Sequence, residues 1–169
     1  MVSGPDFRGD SHAPAGVSEE MAQTIDERAN HCFGCGTANP EGLHLEFAID
    51  AADPNAITAT CHFKLTRMHE GPPGYIHGGI IATLLDEAMS KLNRPLNLLA
   101  MTRSLSVDYL RPSPLETPLL LVGKHVKRDG RKVLHVADLM LEDGTVLAHG
   151  EGLFLAIDPA MLAGAQVER

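Results

Sequence analysis

The sequence predicts an α+β domain in which one long helix lies against antiparallel strands, and three observations carry this. Between Gly78 and Asn93, apolar residues recur at helical spacing, as Ile81, Leu84, Leu85, Ala88, Met89 and Leu92. Beyond Pro95 the pattern switches to period two, with Leu105, Val107 and Tyr109 facing one way and Thr102, Ser104, Ser106 and Asp108 the other. Asp129-Gly130 and Asp143-Gly144 then separate three β-prone runs, and Asp-Gly between such runs is a hairpin signal.

Taken in order, residues 1–17 are rich in Gly, Pro, Ser and Asp without apolar periodicity, the composition of a disordered tail. Ser18-Glu19-Glu20 supplies an N-cap and an acidic first turn. It predicts a short helix over 18–29 with Met21, Ile25 and Ala29 on one face, leading into a Cys/Gly-rich turn up to residue 42. The main domain is expected over 43–158, with 159–169 as a C-terminal tail. Leu43, Leu45, Phe47 and Ile49 alternate with polar or small residues, and Ile57 to Phe63 is a second β-prone stretch across Asp53-Pro54-Asn55. Pro95 stops the long helix. The four runs after it read as a meander, giving five to six strands in all.

Composition narrows the function. A chain of 169 residues has room for one core, and 44% hydrophobic with 21% charged residues is an ordinary globular balance. Fourteen Lys and Arg against 22 Asp and Glu leave a net charge of −8, which repels phosphate backbones and anionic lipids. Aromatic residues are 4% with no Trp, too few for base-stacking platforms. Neither a nucleic-acid nor a membrane partner is expected. No apolar run reaches membrane-spanning length and Met1 to Pro5 lacks signal-peptide character, so the expectation is a soluble, cytoplasmic protein with its three cysteines reduced.

The long helix has an unusual far side: Gly79, Ala82, Thr83, Asp86, Ser90 and Asn93 are nearly all small, where a solvated face would carry Lys, Glu, Arg or Gln. Small residues around one carboxylate suggest close approach by a second subunit or a ligand. Glu87 stands four residues before Lys91, the favourable order for an ion pair, and reads as a solvated surface pair. Asp86 is then the carboxylate of interest, as a catalytic group or as a surface or interface residue hydrogen-bonded to a neighbouring strand. His77-Gly78-Gly79 opens the helix, where first-turn N–H groups and the positive dipole end suit a developing negative charge.

With these residues in view, the chain resembles hotdog-fold thioesterases of the PaaI-like group, in which a curved sheet wraps a long helix. The resemblance is carried by His77-Gly-Gly-Ile-Ile-Ala-Thr-Leu-Leu-Asp86-Glu-Ala, by Ser106-Val-Asp-Tyr-Leu-Arg-Pro112, and by Asp129-Gly-Arg131 and Asp143-Gly-Thr-Val-Leu-Ala148. Cys32-Phe-Gly-Cys-Gly-Thr-Ala-Asn-Pro-Glu-Gly-Leu43 and Glu70-Gly-Pro-Pro-Gly74 resemble segments of one branch. The resemblance implies hydrolysis of acyl-CoA without metal or cofactor by a homodimer or homotetramer. Asp86 would be general base or nucleophile, Gly78 the oxyanion donor and His77 a positioning group. Thr102, with Ser106 as second candidate, would reach in from the partner subunit to orient water. Many relatives place Asn or Gln about six residues before the His; here Gly71 stands there, so either Glu70 substitutes or this branch dispenses with the group. Gly79, Glu70, Ser106, Arg111, Arg128 and Arg131 complete the expected substrate-binding set.

Other features carry bland alternatives. Cys32 and Cys35 have zinc-knuckle spacing but lack a second pair, unless Cys61-His62 completes it; two packed thiols are the simpler reading. Lys124, Lys127, Arg128, Arg131 and Lys132 crowd one hairpin turn, either to hold CoA phosphates or as a solvated tip. The remaining histidines suggest no ligand set. Two rival functions keep an acyl-CoA ligand: a non-catalytic binding module and an enoyl-CoA hydratase, the latter fitting the intervals less well.

Overall fold

A computed structural model describes residues 30–158 and 160. The tail 1–17, the helix expected over 18–29 and residues 161–169 lie outside them. The elements are β1 (Ala48–Asp50), β2 (Thr58–Phe63), α1 (Gly78–Ser90), β3 (Ala100–Tyr109), β4 (Leu119–Asp129), β5 (Lys132–Leu141) and β6 (Val146–Ala156). A 3-10 turn, Lys91–Asn93, extends the helix to the predicted end. All strands join one antiparallel sheet in the order β1-β2-β4-β5-β6-β3. This is the hotdog arrangement, one helix held in a curved sheet.

The helix sits close to the sheet because the strands make room for it. Ala59, Gly123, Ala137 and Gly150 stand side by side across β2, β4, β5 and β6. A Cβ on Gly123 would lie 2.6 Å from the Ala88 carbonyl oxygen, so only glycine permits this approach. Leu84, Leu85, Ala88, Met89 and Leu92 fill the space with Leu119, Leu121, Leu139 and Phe154, all fully buried. Each such Leu contributes about 1.5–3 kcal/mol by leaving water.

The structure corrects three expectations. The four-strand meander is a three-strand one, β4-β5-β6; β3 crosses to the far edge and pairs with β6, Ala100 opposite Ala156 and Tyr109 opposite Ala148. The first strand is only three residues long. Leu43 and Leu45 donate their N–H groups to the carbonyls of Phe33 and Gly34, which removes that stretch from the sheet. Asn93 is not on the open side of the helix but buried: its Oδ1 lies 3.1 Å from His135 Nε2, and His135 Nδ1 lies 3.2 Å from His125 Nδ1. That chain of partners satisfies a fully buried His135, whose pKa is pushed down to about 3 by burial and by the neighbouring His125. His135 shares inward parity with Val133 and Ala137, the signal that marks it as a core residue.

Candidate active site

The site is built around α1, and the packing of β3 along it decides which side chains meet. Tyr109, at one end of β3, donates from its hydroxyl to the Gly78 carbonyl at 3.0 Å. Thr102, toward the other end, donates from Oγ1 to Asp86 Oδ1 at 2.8 Å. Thr102 therefore reaches Asp86 within one chain, which corrects the expectation that it arrives from a partner subunit. The reason is the placement of β3 on the far edge of the sheet, alongside the helix. Ser106 is farther along β3, opposite Glu151, and no hydrogen bond joins it to Asp86.

At the helix start the donors are allocated one by one. His77 is the N-cap; its Nδ1 accepts from Gly79 N–H at 3.0 Å, which leaves the ring proton on Nε2, in solvent. Ile80 and Ile81 both donate to the His77 carbonyl. Gly79 N–H is thus spent on His77 and not offered to a substrate. Gly78 N–H alone in this turn has no acceptor among the described residues, and it points out of the positive end of the helix.

Asp86 is half-buried, and its partner is a hydroxyl, with no cation beside it among the described residues. Burial raises its pKa above the ordinary aspartate value, the neighbouring Glu87 adds to the rise, and the Thr102 hydrogen bond works against both. A carboxylate poised this way is a better base than an ordinary surface aspartate.

The other expected binding residues are engaged elsewhere. Glu70 Oε1 accepts from Gly74 N–H at 2.7 Å and shapes the Gly71–Gly74 loop before the helix. Arg111 Nη1 donates to the Val146 carbonyl at 2.6 Å, at the start of β6. Arg128 and Arg131 donate through Nε to Gly130 and Ala156, at the hairpin tip near the other end of β6. Eleven strand residues separate those ends, about 33 Å, so in one chain they do not share a phosphate group.

Glu87 and Lys91 pair as predicted, at 2.9 Å, but not as a solvated pair: their side chains are only 13% and 28% exposed. The turn 32–36 covers them, with Cys32 Sγ 3.7 Å from Glu87 Oε2 and Lys91 Nζ 2.7 Å from Cys35 Sγ. The donor atoms of Cys32, Cys35 and Glu87 lie within 4.8 Å of one another, so Glu87, not Cys61-His62, is the third group a metal would find. Cys61 is instead buried in the core on β2.

Comparison with known proteins places this architecture. The thioesterase superfamily model matches residues 73–148, which contain the helix and its glycine start. The crystal structure of a thioesterase superfamily protein superposes with a TM-score of 0.70 at 30% identity, covering 87% of this chain and 72% of that one. The chain belongs to the thioesterase superfamily. Acyl-coenzyme A thioesterase THEM4 of Xenopus laevis is 35% identical over 100 residues, 59% of this chain and 45% of its own length. The rat THEM4 is 30% identical over 124 residues, 70% of this chain and 51% of its own. The chain spans about half the length of these curated relatives. The PaaI protein of E. coli, at 16% identity and TM-score 0.59 over 68% of this chain and 80% of its own, shares the superfamily's fold.

Proposed function

We propose that this chain hydrolyses acyl-CoA thioesters to free acid and CoA, at a site shared between two copies of the chain. The observation that carries the reading is the spacing of the two groups the reaction needs. Gly78 and Asp86 are eight positions apart on one helix, about 12 Å along its axis. One thioester carbonyl does not span that distance. Two helices running antiparallel across a two-fold axis bring Gly78 of one copy opposite Asp86 of the other, twice. The small residues Gly79, Ala82 and Thr83 allow the two helices to approach.

In this arrangement Asp86 deprotonates a water held by Thr102, or attacks the carbonyl itself. The oxyanion forms against Gly78 N–H of the second copy, where the helix dipole stabilises it. Collapse of the tetrahedral species expels the CoA thiolate, a good leaving group that asks little of a general acid. His77 is the proposed positioning group near that leaving sulfur, with Nε2–H free to donate. The exposed tip with Lys127, Arg128 and Arg131 is the proposed anchor for the CoA phosphates, against an otherwise acidic chain. The relatives' names support the acyl-CoA substrate.

Free-thiol release from short, medium, long and aryl acyl-CoAs tests the reaction, with Asp86→Asn as control. Mixing two inactive variants tests the shared site. Asp86→Asn removes the base. Gly78→Pro removes the N–H at a position where helices accept proline, and His77 already has the extended backbone (φ −62°, ψ 136°) that precedes one. Co-refolded, half the dimers hold one intact site, so activity returns to roughly a quarter of wild type by statistical pairing. Silence of the mixture beside an active wild type rejects the shared site. No thiol release from wild type, with acyl-CoA raising the Tm, makes the protein a binding module.

A further inference from the structure

The contact between Lys91 Nζ and Cys35 Sγ, at 2.7 Å, is shorter than the usual N–H···O hydrogen bond of about 2.9 Å although sulfur is the larger acceptor. The two residues are 56 positions apart and are brought together by the turn 32–36 folding onto α1. Glu87 holds Lys91 in place through Oε1 at 2.9 Å, and Cys32 stands on the other carboxylate oxygen. An open cavity of about 480 Å³, lined by Cys35, Lys91, Asn30, Leu45 and Phe47 among others, gives small solutes access to the pair. We propose that Cys35 and Lys91 form a reversible covalent Nζ–O–Sγ bridge under hydrogen peroxide, an oxidative modification site on the flank of α1 away from Thr102.

The step balances. A thiol, an ammonium and two hydrogen peroxides give the bridge, three waters and one proton. The S–H bond and two of the N–H bonds are replaced by one S–O and one N–O bond to a single oxygen. Sulfur and nitrogen together lose four electrons, two to each peroxide O–O bond as it breaks, and Glu87 is the base at hand for the ammonium proton. Two equivalents of a dithiol reverse it, returning thiol, amine and one water. Burial and Glu87 push the Cys35 thiol up to about 11 against the opposing pull of Lys91, so its oxidation is slow at neutral pH and quickens as pH rises. Lys91 is held above its ordinary value because Cys35 and Glu87 outweigh the effect of burial. Proximity, not an activated thiolate, then sets the selectivity of the oxidation.

The test is mass spectrometry of the whole wild-type chain after peroxide treatment, digested with trypsin without reductant. The expected product joins the Cys35 peptide to the Lys91 peptide with one oxygen gained and two hydrogens lost, resists cleavage after Lys91, and disappears on dithiothreitol. It persists in Cys32→Ser and is lost in Lys91→Arg, which keeps a cation beside Glu87. Because the bridge closes a long loop, the oxidised wild type also melts higher than the reduced one. Two products overturn the proposal: a Cys32–Cys35 disulfide with Lys91 cleaved normally, or Cys35 oxidised to sulfinic acid with Lys91 unmodified. Both of these products are read on the wild-type chain, so failure of a variant to fold does not rescue the proposal.

Discussion

Asp86 and Glu87 are adjacent on one helix yet live in different chemistry. Asp86 faces β3 and receives a hydroxyl; Glu87 faces the turn 32–36 and holds an ammonium. The hundred-degree step of the helix separates them onto two flanks. On the Thr102 flank a carboxylate is kept partly desolvated with no cation beside it among the described residues, and its affinity for a proton rises. On the Lys91 flank the same group is neutralised, sheltered and tied to the N-terminal segment. Burial alone does not make a carboxylate reactive; withholding its counter-ion does.

The comparison is broken most directly at Asp86. Asp86→Asn keeps the shape and removes the proposed base, and thiol-release assays are expected to show a 10²- to 10⁴-fold loss, about the worth of a general base. Retention of most activity would transfer the chemistry to another group. The opposite flank should respond in stability instead. A Cβ on Gly34 would lie 2.5 Å from Glu87 Oε2, so Gly34→Ala makes the Glu87 side chain give way and disturbs its pairing with Lys91, a destabilisation of about 1 kcal/mol in urea titration. Glu87→Gln leaves Lys91 half-buried and short of a partner and should cost about 1–2 kcal/mol while kcat stays near wild type.

Thr102→Val sharpens the contrast by removing the one influence that holds the Asp86 pKa down. The base must be ionised, so the acid limb of kcat/KM should move to higher pH, with a loss of about tenfold at neutral pH. An unmoved limb would show that the titration belongs to another residue. The smallest effect is one of stability. A carboxyl whose pKa is raised on folding stabilises the fold below its unfolded pKa, and that contribution is lost as pH rises through the folded value. At neutral pH ionised Asp86 therefore opposes folding, and Asp86→Asn should melt slightly higher than wild type, by no more than about 1 kcal/mol since half the group stays solvated. The gain should vanish in acid.

The helix was legible because its information is local: apolar spacing, a glycine start and one carboxylate among small residues all lie within sixteen positions. The strands were legible for the same reason, as runs of period two. Their order was not. Nothing in the alternation of 100–109 states that its partner is 146–156 rather than the neighbouring 119–129, nor that Thr102 reaches Asp86 of its own chain, where the family resemblance implied the partner's. The shelter over Glu87 was hidden for a related reason, since Cys35 and Lys91 are far apart in the chain. His135 could be read from parity, but a histidine on an inward position needs Asn93 and His125 beside it, and those partners come from two other elements.

The far-edge position of β3 also orders events in time. The β4-β5-β6 meander closes through turns of a few residues, whereas β3 must wait for a strand whose first pairing, Tyr109 with Ala148, already closes a loop of nearly forty residues. Pairing of Thr102 with Asp86 depends on that late arrival. Late pairing of β3 predicts that the core closes before Thr102 reaches the proposed base, so recovery of thiol release should lag recovery of the helical signal in a refolding experiment.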